Sequence, residues 1–140
     1  MTEGATTKSA RIGVRVVRAA ASVPAGAMTD WGPIAPLPEG ARGSPAGGGA
    51  APAASRTRGV LLHKGPGGVP EAGIWECTPG EWECRVTRDE FCHFLSGRCV
   101  YTHESGERTE IAGGDAAFFP AGWNGRCSVI ETVRKVYMIR

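Results

Sequence analysis

The stretch Glu90–Gly125, "EFCHFLSGRCVYTHESGERTEIAGGDAAFFPAGWNG", decides how the rest of the chain is read. "EFCHFLSG" is a mostly apolar strand candidate that ends in a turn at Gly97. "RCVYTH" and "RTEI" flank "ESGE", which reads as a hairpin with Ser105-Gly106 in its turn. "AGGD" then turns into "AAFFP", and "AGWNG" turns once more.

The same texture extends outward in both directions. Upstream, "GVLLHKG" is a short apolar strand candidate, and "IWECTPGEWECRVT" supplies two more, broken at Pro79-Gly80. Downstream, "RCSVIE" and the alternating "VRKVYMIR" complete the set. Strands roughly eight to twelve residues apart with Gly or Pro turns define an antiparallel sandwich or barrel. No segment after residue 55 carries an amphipathic helical period over three turns, so the fold class is all-β.

Composition agrees. Gly and Pro make up 31 of 140 residues, which favours short strands over long helices. The net charge of +2 suggests neither a nucleic-acid stripe nor an acidic tail, and no apolar run approaches the ~20 residues that span a bilayer. The basic start "MTEGATTKSARIGVRVVRAA" has no apolar core leading to a cleavage site, so no secretory signal is expected. Without one, Cys77, Cys84, Cys92, Cys99 and Cys127 read as reduced thiols of a cytoplasmic protein.

Residues 1–55 form an N-terminal extension and residues 56–140 the barrel domain. Residues 1–10 read as a mobile tail, and the β-branched Arg11–Val17 as a possible added strand. "WGPIAPLPEG" is an extended, Pro-punctuated segment able to lay Trp31, Ile34 and Leu37 across an apolar surface. Gly40–Ser55 is low in complexity and has nothing large to bury, so a flexible linker is expected.

The order of the turns carries a resemblance. Glu90, six residues, Gly97 matches the end of the first cupin motif, G(X)5HXH(X)3-4E(X)6G. Gly114, five residues, Pro120-Ala121-Gly122 matches the start of the second, G(X)5PXG(X)2H(X)3N. With "GIWECTPG" and "ETVRKVYMI" added, the chain resembles the small cupins of the (S)-ureidoglycine aminohydrolase type. That resemblance implies a small jelly-roll barrel (a double-stranded β-helix) preceded by the extension. It also implies an enzyme acting on a small nitrogen-containing metabolite, and a centre in which three histidines and one carboxylate hold a metal.

The ligands themselves do not carry over. Counting back from Glu90, the HXH positions fall on Cys84 and Val86, or on Glu83 and Arg85 if one more residue intervenes. The second-motif histidine falls on Gly125, so of the four ligands only Glu90 remains. An ordinary cupin metal centre is therefore not expected, and no cofactor is assigned.

Period-two alternation from Glu90 sends Cys92 and Phe94 inward, and His93 and Leu95 outward. Trp82 and Cys84 share the inward face of the preceding strand, and Cys127 shares the face of the missing histidine. Two readings of the interior stay open. In one, Glu90 does acid–base work with its pKa raised among Trp82, Phe94 and Phe118, while Lys135 pairs with it or binds a carboxylate substrate. Its bland counterpart is a structural Glu90 and a surface Lys135. In the other, Cys84, Glu90, Cys92 and Cys127 form a soft-metal site for Zn, Mn or Fe. Its counterpart treats the thiols as small apolar fillers.

His63 and His103 read as solvated, His93 as a packing or interface residue, and Trp75 and Trp123 as caps on the barrel ends. The expectation is thus a metabolite-binding barrel with Trp82, Cys84, Cys92, Phe94, Phe118, Cys127 and Lys135 around Glu90. Open sheet edges make a homodimer the expected assembly.

Overall fold

A computed structural model of the chain describes residues 13–38 and 54–140. Among the described residues there are eight strands and only three short 3-10 turns. They are β1 (Thr29–Pro33), β2 (Arg56–Lys64), β3 (Glu71–Cys77), β4 (Gly80–Arg85), β5 (Glu90–His103), β6 (Arg108–Ala112), β7 (Ala116–Phe119) and β8 (Asn124–Ile139). The sheet order is β1-β2-β3-β8-β5-β6, with β4 also on β8 and β7 also on β5, and every pairing is antiparallel. The all-β class expected from the turns and the jelly-roll barrel implied by the resemblance are the fold observed.

Two long strands close the barrel. β8 pairs with β3 through Val133–Ile139 and with β4 through Asn124–Val129, so its two halves take different partners within the one eight-stranded sheet. β5 runs alongside β8 for most of its length and gives its first half to β7 and its second to β6. Both were expected as pairs of shorter strands. β5 does not stop at Gly97 but passes through it by a run of register shifts between Phe94 and Cys99. Gly97 sits at φ 89°, a backbone that other residues adopt only with strain, and there the strand bends instead of ending.

The strand expected over residues 11–17 is not formed in its described part, residues 13–17. The added strand is β1, further along the extension, pairing with the edge of β2. Pro33 closes β1 at the sheet edge, where its missing N–H costs no ladder bond. Leu37 N–H donates to Glu81 O at 3.0 Å, and Val23 and Leu37 are buried, so the extension is strapped over the barrel. Residues 1–12 and 39–53, including nearly all of the expected linker, lie outside the described residues.

The barrel core gathers around Cys92, Phe94, Cys99, Tyr101, Cys127 and Val133, each at most 3% exposed. Burying an aromatic or aliphatic side chain of this size contributes about 1.5–3 kcal/mol. On the opposite face of β5 and its neighbours, Phe91, Phe118 and Met138 are register partners and all stand exposed. No described helix is long and apolar enough to cross a membrane.

Candidate functional site

Parity along three strands builds the site. On β5, Glu90, Cys92 and Phe94 turn inward while Phe91 and His93 face out, as alternation requires. On β8, Lys135 lies opposite both Trp75 of β3 and Phe94 of β5, so its side chain enters the interior between two aromatic rings. Its Nζ sits 4.6 Å from the Trp75 ring centroid and 5.7 Å from that of Phe94. Such placement over a ring face stabilises the ammonium.

The ammonium donates to Glu90 Oε2 at 2.9 Å, and the Cys92 thiol donates to the same oxygen at 3.1 Å. Among the described residues Glu90 Oε1 makes no hydrogen bond. Burial, the largest influence on Lys135, works against its charge. The Glu90 carboxylate and Cys92 outweigh it, and the ammonium is held above the ordinary lysine range. The Cys92 thiol is pushed up to about 12 by burial, with Glu90 adding to the effect and Lys135 opposing it. Cys84 is pushed up to about 11, again by burial first. These are protonated, unreactive thiols at neutral pH.

Above the pair lies a cavity of about 420 Å³. Glu90, Lys135, Trp82 and Cys84 border it directly. Its aromatic wall also includes Trp31, Trp75, Tyr101 and Phe119, and Arg85 and Arg88 stand at its rim. A second polar pair faces it, in which Tyr137 donates to Glu71 Oε2 at 2.6 Å. Burial, then that bond and the carboxylates of Glu71 and Glu90, raise the Tyr137 hydroxyl above its ordinary value.

Several expected positions are placed elsewhere. Cys92 and Phe94 are buried in the core and do not border the cavity. Cys127, 1% exposed, lies in the core beside Cys99 and Tyr101, and burial raises its thiol. Phe118 is 60% exposed, and the ring that borders the cavity is Phe119. β7 pairs Phe119 with Glu90 and Phe118 with the outward Phe91, so the one-residue offset decides the face.

Trp75 is a wall of the cavity, where an end cap was expected. Trp123 does pack at one end, edge-on to Tyr101 and Phe119 with centroids 5.9 Å away in each case. His93 is exposed, His63 Nδ1 lies 2.9 Å from Arg15, and His103 rests against Trp123.

The residues do not fit the metal centre that the cupin resemblance implies. Cys84 and Gly125 are register partners and Val86 borders the cavity, which places the expected ligand positions on Cys84, Val86 and Gly125. Only Cys84 offers a donor, and Glu90 is engaged by an ammonium. Among the described residues no three His, Cys, Asp or Glu side chains are gathered to hold a metal, so the Cys84–Glu90–Cys92–Cys127 cluster does not form. Nor is there room to restore the second-motif histidine. A Cβ at Gly125 would overlap the Thr102 carbonyl oxygen, which is backbone and cannot swing aside. Gly125→Ala is accordingly expected to lower stability by about 1–3 kcal/mol in urea unfolding.

The jelly roll with its inward Glu90 defines a cupin, and the comparisons make the class narrower. The EutQ-like cupin domain matches residues 64–137, more than half of the chain, and the chain belongs to that family. No curated protein matches it in sequence. A DUF861-family protein from Pseudomonas syringae pv. tomato is 24% identical over 62% of this chain and 37% of its own length, with a TM-score of 0.57. A putative ethanolamine utilization protein Q from Salmonella typhimurium is 23% identical over 62% of this chain and 69% of its own, with a TM-score of 0.53. A DUF861-family protein from Thermotoga maritima is 36% identical over 48% of this chain and 76% of its own, with a TM-score of 0.47.

Proposed function

We propose that the barrel binds a small metabolite bearing a carboxyl or carbonyl oxygen beside an N–H donor, and does so without a histidine metal centre. The observation that carries this is the Glu90–Lys135 pair at the floor of an aromatic cavity. An ammonium has three donors, and the bond to Glu90 uses one of them, so Lys135 retains donors for a ligand oxygen. Glu90 Oε1, unpartnered among the described residues, is the matching acceptor for the ligand N–H. A pocket of convergent charges within apolar walls is the usual form of a metabolite site.

A hydrolytic reading is favoured by the same oxygen and by the resemblance to aminohydrolase-type cupins. In it, Glu90 Oε1 takes a proton from water as that water attacks an amide carbonyl held on Lys135. Binding and hydrolysis separate cleanly in the test. Titration calorimetry with N-carbamoylglycine, which carries both polar groups, is expected to show binding that falls roughly tenfold or more in Lys135→Met and Glu90→Gln. Ammonia release dependent on Glu90 would add the hydrolytic step. Equal or absent heat for wild type and both variants across N-carbamoylglycine, glycine and acetate would sink the binding reading.

A further inference from the structure

We propose that Trp31, carried on the N-terminal strap, is a ligand-contacting residue that fits the cavity to a planar, ring-bearing monocarboxylate. This deepens the proposed function and rests on Glu90 and Lys135 being the polar pole of that site.

Three features of the fold converge on placing this one side chain. First, the β1–β2 register passes from Asp30↔Arg58 to Gly32↔Thr57, so Trp31 is the extra residue of a β-bulge. A bulge re-aims the side chain it carries. Second, the bulge is pinned on both sides. Gly32 takes φ 87° and donates to Asp30 Oδ1 at 2.8 Å, its carbonyl accepts from Thr57 Oγ1 at 2.9 Å, and Asp30 pairs with Arg56 at 3.0 Å. Third, the barrel is notched to receive the ring. Gly59 lies opposite Trp75 in register, and a Cβ there would overlap both the Trp31 indole and the Ile74 carbonyl oxygen.

A tryptophan that only sealed the barrel edge would be enclosed. Trp31 is half-buried, and its ring borders the open cavity that Glu90 and Lys135 also border. The strap and the barrel together therefore make one site.

The ligand class follows from what lines that site. Lys135 pairs with Glu90, Arg85 with Glu83 at 3.0 Å, and Glu71 with Tyr137 and with Lys64 at 4.0 Å, which leaves Arg88 as the cation of the lining that offsets no carboxylate among the described residues. The surplus is positive, so the ligand is an anion with its carboxylate on Lys135. Between Trp31 on the strap side and Trp75 and Trp82 on the barrel side, a flat ring meets edges and faces of indoles. Edge-to-face contacts of this kind add to what area burial alone contributes.

The test uses the full chain labelled with 5-fluorotryptophan, whose four tryptophans give four resonances. Assignment comes from the single variants Trp31→Phe, Trp75→Phe and Trp82→Phe. Benzoate is expected to shift the Trp31 resonance, whereas acetate, which reaches Lys135 without a ring, leaves it in place. Trp31→Ala is expected to weaken benzoate roughly two- to tenfold and to leave acetate and cyclohexanecarboxylate nearly unchanged, while Trp31→Phe retains most of the benzoate affinity. Movement of the Trp75 or Trp82 resonance with Trp31 stationary overturns the proposal and leaves the Glu90–Lys135 site standing. So does wild-type benzoate affinity in Trp31→Ala. Four silent resonances with both acids overturn the site reading as well.

Discussion

Lys135→Met is expected to lower folding stability by about 3–5 kcal/mol in urea unfolding at neutral pH. The Lys135 side chain is 9% exposed and that of Glu90 19%, so neither charge is well solvated. Removing the ammonium leaves the carboxylate among Trp75, Trp82 and Phe119 with only the Cys92 thiol to satisfy Oε2. That uncompensated charge, more than the lost attraction, sets the size of the effect.

A cycle with Glu90→Gln separates the two contributions. The double variant is expected to cost clearly less than the sum of the singles, because taking out both charges leaves nothing stranded. The pH dependence has a definite sign. Lys135 is held above its ordinary value of 10.5, so its contribution is complete below that value and fades only as pH rises through the higher folded value. Wild type minus Lys135→Met is therefore the same at pH 7 and pH 9. A loss under about 1 kcal/mol would mean a solvent-screened pair, and with it no enclosed site.

Much of this frame was legible in the turns. Gly106 and Gly122 punctuate strands where expected, and alternation from Glu90 correctly separates Cys92 and Phe94 from Phe91 and His93. Alternation failed where it had to cross a turn. Nothing in "AAFFP" says which phenylalanine faces in, because the answer is the pairing of Phe119 with Glu90, a contact made 29 residues apart in sequence. Gly97 misled for a related reason. A glycine that bends a strand and one that ends it look alike until the opposing strand is known.

The strap was the least legible part of the site. Trp31 is set by an unpaired residue in a short edge strand and by the missing side chain of Gly59. Neither has a periodicity. The signal that was present was Trp31 before Gly-Pro, which with Ile34 and Leu37 reads as a segment laid across an apolar surface, but nothing in it says which surface receives the indole.

The strap's other anchor supports the second large effect, in Glu76→Leu. Trp75 and Lys135 are register partners facing into the barrel, and the next pair along, Glu76 and Arg134, faces out beneath the strap. Arg134 donates to Glu76 Oε2 through Nε at 3.0 Å and Nη2 at 2.8 Å, and Arg58 holds the other carboxylate oxygen. Arg134 also reaches up to the Ala20 carbonyl at 3.2 Å, tying residues of the extension to the sheet. Arg134 and Glu76 are 9% and 7% exposed at their side chains, so Leu at 76 strands a guanidinium under the strap at a cost of about 3–5 kcal/mol. Such an enclosed pair is also little screened, so the loss is expected to persist in 1 M salt, where the exposed Arg98–Glu131 bridge would contribute nothing. Because the stranded Arg134 is the strap's own tether, proteolysis within residues 13–37 should accelerate beyond what global unfolding accounts for. Equal acceleration at sites in the strap and in β8 would show that the two unfold as one unit. In that case Trp31 would be held by the barrel as a whole and not by this tether.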